Sequence, residues 1–324
     1  MEAPEPRARE NWVVVKVHSA PLCTEYKAFV AGTPGAFLGH EAAGEVVEVA
    51  QPGRVRVGDR VVVMPTYPCG RCELCVAGDY IHCEQGVGVA AFTGSQEGSA
   101  TLAQYLLKPD WLLPRIPDDL TYAQASLACC AVGPSFGAMQ RMQVVASDTV
   151  LITGLGPVGL GAVVNGSFRG ARVIGVETNA WRADLARTLG AELVVDPREP
   201  DALTRVREVT GGRGPSCGLD CSGSPAAHRF LLDAVRRCGR IAFVGECSAE
   251  TPLRVSPDMI RKGLSLFGSW HYNLAEFGGV IDVVRRAPHL DRLVSHTFPL
   301  SHIQEAFETL AGQHTGKVLL QPWG

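Results

Sequence analysis

Residues 149–168 read TVLITGLGPVGLGAVVNGSF, an uncharged run whose length alone would suit a membrane-spanning helix. Five glycines and a proline argue for a different reading. TVLIT has the composition of a buried strand, Gly154-x-Gly156-x-x-Gly159 follows it directly, and a helix follows the glycines. The next strand, RVIGVE, ends at Glu177, an acidic residue about twenty positions further on, as a dinucleotide site requires. Glycines at 154, 156 and 159, with Pro157 and Val158 between them, let a pyrophosphate approach the backbone at a helix N-terminus. The Glu177 carboxylate can accept hydrogen bonds from the adenosine ribose and would repel a 2′-phosphate. NAD is therefore expected over NADP, although Arg182, five residues on, could accommodate such a phosphate. A flavodoxin-like sheet with no cofactor is the bland reading of the same pattern.

The alternation continues downstream. NAWRADLARTLG, AELVVD, PDALTRVREVTGG, CGLDCSG, PAAHRFLLDAVRRCG and RIAFVG interleave helical and strand-like segments, the mark of a parallel sheet built from βαβ units. Upstream the texture differs. WVVVKV, GEVVEVA and DRVVVMP are short β-branched runs between turn signals and suggest a compact β-barrel-like domain. YAQASLACCAVGPSFGAMQRM, between the two halves, has helical composition. After Ser269 come two more helical patterns, EFGGVIDVVRRA and SHIQEAFETLAGQ, and a final strand-like KVLLQ. The fold class is α/β.

Two domains of ordinary size fit in 324 residues. A net charge of −3 offers no electrostatic reason to expect nucleic acid or an anionic membrane. The N-terminal MEAPEPRARENW is charged and proline-rich and reads as no signal peptide, so a cytoplasmic location is expected. Eleven cysteines without a secretory signal point to reduced thiols and metal ligation.

Four of those cysteines fall in PCGRCELCVAGDYIHCE, residues 68–84. Cys69, Cys72, Cys75 and Cys83 can bring four thiolates around one zinc, and four thiolates close its coordination shell. Such a site is structural. An iron–sulfur cluster is the rival metal reading, but Glu84 stands where a ferredoxin run would carry proline. Scattered core thiols fit poorly with the glycines, Pro68 and polar residues of this loop. The chemistry should then lie elsewhere. FLGHEAAGEVVEVA presents His40 and Glu41 between glycines, APLCTEYKAF supplies Cys23, and LACCAVG offers Cys129 or Cys130. A lone His-Glu pair would more often be structural. Together with two thiols it matches a Cys2His ligand set of the kind that holds a catalytic zinc.

With these three signatures in this order, the chain resembles the zinc-containing medium-chain dehydrogenase/reductase family of alcohol, sorbitol and threonine dehydrogenases. LVSHTFPLSHIQEAFETL and GKVLL also look like that family's C-terminal segment. The resemblance implies a GroES-like catalytic domain formed by residues 1–133 and 269–324, carrying the zinc lobe at about 68–84, and a Rossmann domain over 134–268. It implies two zinc ions per chain and NAD. Cys23, His40 and one of the paired thiols would bind the catalytic zinc, with Glu41 as a nearby, transient ligand. Cys130 is favoured over Cys129, because the corresponding ligand in related polyol dehydrogenases lies about two dozen residues before the first glycine of the nucleotide turn. The reaction implied is hydride transfer between a secondary alcohol, polyol or sugar-like, and NAD, with a relay carrying the hydroxyl proton away.

The chain departs from the family in two places. Members usually have Cys-x-Ser/Thr-Asp at the first ligand, whereas here Cys23-Thr24-Glu25 is one residue shorter. A tighter loop would give Thr24 the relay hydroxyl and make Glu25 the carboxylate that orients His40. Members also begin some two dozen residues earlier, with a further strand before Trp12–Val17; the chain is either truncated or has lost that strand, and a missing strand would leave an unpaired sheet edge. Trp270 and His271, in GSWHYN, are candidates to face the substrate or to pack. The runners-up are a threonine-type amino alcohol dehydrogenase and a silent, nucleotide-binding scaffold. A small alcohol or ketone partner and a homo-oligomer, dimer or tetramer, are expected.

Overall fold

The computed structural model describes residues 4–33, 35 and 37–324; the start of the charged N-terminal stretch, with Pro34 and Ala36, lies outside them. Its first half is a sheet of short strands: β1 (Trp12–Pro21), β2 (Ala42–Glu48), β3 (Arg60–Val63) and β4 (Tyr105–Pro109). The β-branched runs alternate inward, and Val13, Val15, Val17, Val46, Val61 and Val63 share one core. β1 pairs with β2 on one side and with β4 and the C-terminal strand on the other, so it has no open edge. The pairing of this sheet runs out at β3, at β4 and at the strand Val294–Pro299 instead.

The second half is a six-stranded parallel sheet made of β5 (Thr149–Thr153), β6 (Arg172–Val176), β7 (Leu193–Val195), β8 (Cys217–Asp220), β9 (Arg240–Phe243) and β10 (Ser265–Gly268). Its order is β10-β9-β8-β5-β6-β7, so the winding reverses between β5 and β8. A crevice opens there at the carboxyl ends of the strands, the place where such sheets bind nucleotides. Helices cross between successive strands, and every residue of β8 is buried. The run 149–168 is thus split into β5 and the helix Pro157–Phe168. No helix among the described residues is long and apolar enough to cross a membrane.

The chain then returns to the first sheet. β11 (Val294–Pro299) lies parallel to β12 (Lys317–Gln321), and β12 pairs antiparallel with the end of β1. That return carries Lys317 to the start of the strand beside Cys23.

The helical composition of 122–142 yields two helices, Tyr122–Ser126 and Gly133–Arg141, with a turn at 127–132 between them. Tertiary structure overrides propensity here. The Cys130 amide donates to the Glu41 carboxylate at 3.0 Å, outside any helical ladder, and Gly133-Pro134 starts a new helix.

Candidate active site and metal centres

Cys23 ends the segment after β1, His40 and Glu41 lead into β2, and Cys130 sits in the turn at 127–132. The structure brings all four together, with one ligand atom from each lying within 4.8 Å of the others. Cys129 points the opposite way, its thiol among the carbonyls of Ala42 and Val63 in the core. His40 turns Nε2 towards the Cys130 sulfur at 3.2 Å and Nδ1 towards Glu25 at 2.6 Å. The other Glu25 oxygen accepts the Cys23 amide at 2.9 Å. One carboxylate therefore steadies two of the clustered residues.

Glu41 is fully buried and engaged at both oxygens, by the Cys130 amide and by the Lys317 ammonium at 2.6 Å. Burial pushes its carboxyl up to about 7 against the pull of Lys317. Lys317 has no exposed surface, and the charges of Glu41 and Cys23 raise its pKa against the cost of burial. The Cys130 contact holds the Cys23 thiol well below its ordinary range. Burial disfavours a charged His40, but bonds to Cys23 and Glu25 and the Glu41 charge outweigh it and push the imidazole up to about 11. Two thiols, an imidazole and a carboxylate, with charge balanced around them, suit a zinc ion that keeps an open position.

In the lobe, the thiols of Cys69, Cys72, Cys75 and Cys83 approach one another at 3.5–3.9 Å. Tetrahedral zinc with bonds of about 2.3 Å needs sulfurs roughly 3.8 Å apart, so the lobe fits the ion as it stands.

At the nucleotide turn Gly154 takes a positive φ of 79°, and a side chain at Gly159 would collide with the Gly154 carbonyl. Gly156 faces open space, bordered only by the Arg182 guanidinium about 4.0 Å away. Pro157 and Val158 open the helix. Glu177 follows β6, and its carboxylate accepts the amides of Leu155, Thr178 and Asn179 at 2.7–2.9 Å. It thereby ties the end of β6 to the glycine turn. Arg182 reaches the Thr315 carbonyl at 3.4 Å.

The metal cluster and the nucleotide turn meet in one cleft of about 310 Å³. Cys23, Thr24, His40 and Cys130 line it together with Val158. No sequence signal pointed to Lys27, Thr66, Ser222 or Glu246, which also face it. Thr66 comes from the loop after β3, and Ser222 and Glu246 from the ends of β8 and β9, where loops carry the contacts.

A family model described as "Alcohol dehydrogenase GroES-like domain" matches residues 9–118, and one described as "Zinc-binding dehydrogenase" matches residues 157–286. The sorbitol dehydrogenase of Bacillus subtilis (strain 168) is 31% identical over 317 residues, covering 94% of this chain and 88% of that one. The chain belongs to the zinc-type medium-chain dehydrogenase/reductase family. It is 31% identical to the L-threonine 3-dehydrogenase of Symbiobacterium thermophilum, with 99% of this chain and 93% of that one covered. An alcohol dehydrogenase from Thermus sp. ATN1 has the same fold, with a TM-score of 0.90 at 28% identity over 99% of this chain and 95% of that one. The protein is a zinc-type alcohol dehydrogenase, and zinc and NAD are the cofactors that fit this family.

Proposed function

We propose that the chain oxidises a secondary alcohol, polyol or sugar-like, to the ketone with NAD. The observation that carries this reading is the shared cleft, where Cys23, His40 and Cys130 stand opposite Val158 at the start of the nucleotide helix. Cys23, His40 and Cys130 would hold the catalytic zinc, with Glu41 as a nearby, transient ligand. Zinc supplies the electrostatic pull that makes a substrate hydroxyl acidic, and NAD supplies the hydride acceptor. Glu25 keeps Nε2 of His40 aimed into the cluster by holding Nδ1. The Thr24 hydroxyl lines the cleft and passes the substrate proton outward. Gly154, Gly156 and Gly159 make room for the pyrophosphate, and Glu177 meets the adenosine ribose. Residues 1–133 and 269–324 form the catalytic domain and 134–268 the nucleotide domain, acting in the cytoplasm as a homo-oligomer.

The test is an NAD-reduction screen of zinc-loaded protein over polyols, sugars, amino alcohols and simple alcohols. Turnover of polyols ahead of amino alcohols supports the reading. A preference for a 2-amino-3-hydroxy acid replaces it with a threonine-type enzyme, and NAD binding with zinc only in the lobe replaces it with a scaffold.

A further inference from the structure

The parallel sheet has a second recess, at the end opposite the nucleotide crevice. Thr149, Arg172 and Ser216 stand at the amino ends of β5, β6 and β8, and with Arg213 and Arg236 they border a pocket of about 180 Å³. β5 runs from this pocket to the glycine turn, so roughly 16 Å of strand separates the two, at about 3.3 Å per residue. Arg236 follows the helix Pro225–Ala234, and its amide donates to the Pro215 carbonyl at 3.0 Å, which anchors it beside Ser216. Arg213 sits in a turn closed by the Gly214 amide, which donates to the Thr210 hydroxyl at 3.0 Å.

Three guanidiniums thus converge, and no acidic residue lines the pocket. Arg172 engages Glu192 through Nε and one Nη at 2.9 and 2.7 Å, so its charge is balanced. Asp148, which accepts the Ser216 hydroxyl at 2.7 Å, is held by Arg240 at 2.9 Å. Among the described residues neither Arg213 nor Arg236 has a carboxylate partner. The Nε of Arg236 is sealed from solvent and has no hydrogen-bond partner at all among them. A buried donor of a charged group is costly to leave unpaired, and few persist in native structures without an ion, water or ligand to accept from them.

We propose that this pocket binds a phosphate dianion, either the free ion or the head of a small phosphomonoester. Two uncompensated guanidiniums match its two negative charges, and the planar fork of each matches a pair of phosphate oxygens. Ser147 and Thr149 add hydroxyls at the wall. The volume is below the roughly 300–1,000 Å³ of sites for drug-sized ligands, so the ligand is small. The chain as a whole carries a net charge of −3, so the pocket is a local concentration of positive charge and not part of a basic face for nucleic acid.

The test is calorimetric titration of inorganic phosphate, and separately of glycerol 3-phosphate, into the zinc-loaded chain saturated with NADH at fixed ionic strength. NADH keeps the glycine turn filled, so that its own phosphate site does not contribute. One phosphate should bind per chain, and Arg213→Gln and Arg236→Gln should each weaken it roughly 10-fold or more, as expected for lost charge-assisted hydrogen bonds. Zinc content and NADH affinity should not change. Arg213 is exposed, so its variant decides the matter if Arg236→Gln does not fold. Tighter binding of glycerol 3-phosphate assigns the site to an organic phosphate and equal binding to the free ion, and either supports the proposal. Equal phosphate binding in wild type and variants, or the unsaturable heats of an adventitious ion only, overturns it.

Discussion

At the scale of single residues, the adjacent thiols carry the sharpest contrast. Cys130 faces His40 while Cys129 packs among backbone carbonyls, because the amide bonded to Glu41 turns the chain between them. Cys130→Ser should abolish turnover and lower zinc from about two per chain to about one. Cys129→Ala should keep both ions and cost about 1 kcal/mol of stability by denaturant titration. Zinc loss in Cys129→Ala alone would reverse the assignment. Glu177 supports a second expectation. Its carboxylate, fixed by three backbone amides, faces any 2′-phosphate with like charge, while Arg182 is drawn towards Thr315. kcat/KM with NAD should exceed that with NADP, and Glu177→Gln should narrow the ratio. A wild type that prefers NADP ends this reading. GHE and the cysteine spacings made most of these residues legible. Lys317 was not legible, because its partner Glu41 is 276 positions away and a lysine opening GKVLL reads only as the start of a strand.

At the scale of elements, long apolar runs such as TVLIT and RVIGV announced their strands, and the amphipathic stretches between them announced helices. β4, β10 and β11 went unread. β10 has only four residues, none of them buried, and β11 is half-exposed throughout, so neither shows a core-facing pattern. One joint between elements is open to test. Asp148 precedes β5 and is nearly buried, and it holds the Val145 amide, the Ser216 hydroxyl and the Arg240 guanidinium. It thereby joins the starts of β5, β8 and β9. Burial opposes its ionisation, but those three partners outweigh burial and hold the carboxyl below its ordinary range. A carboxylate depressed in the folded state stabilises it in full above the unfolded pKa of about 3.9, and the stabilisation is lost as pH falls through the folded value. Asp148→Asn should cost about 1–3 kcal/mol at neutral pH, and the gap from wild type should begin to narrow below about pH 4 and shrink further as the melts are taken at lower pH. A gap independent of pH would mean that the charge contributes nothing.

At the scale of the whole molecule, distant parts of the chain converge on the cleft. A side chain at Gly161, in the nucleotide helix, would collide with the Ala131 carbonyl, so that helix and the Cys130 turn touch backbone to side. The lobe is tied in as well. Tyr80 bonds to the Tyr272 carbonyl and Asp79 to the Asn273 amide at 3.3 Å, on either side of the strap that presents His271. The two zinc sites should therefore leave the protein in different ways. The cleft site has an exchangeable position and a neighbouring carboxylate, so a chelator can reach its ion. The lobe would share one ion among four thiolates, and its short helix Glu73–Ala77 has no buried residue to keep it folded without the metal. A chelator should release one zinc quickly with loss of activity and an unchanged far-ultraviolet circular dichroism spectrum. The second should leave slowly, together with a fall in melting temperature and, through Tyr80, a changed environment for Trp270 beside His271, read as a shift in tryptophan fluorescence. Release of both ions in a single phase with simultaneous unfolding would show the sites to be coupled, and the separation of a closed structural lobe from an open catalytic centre would not hold.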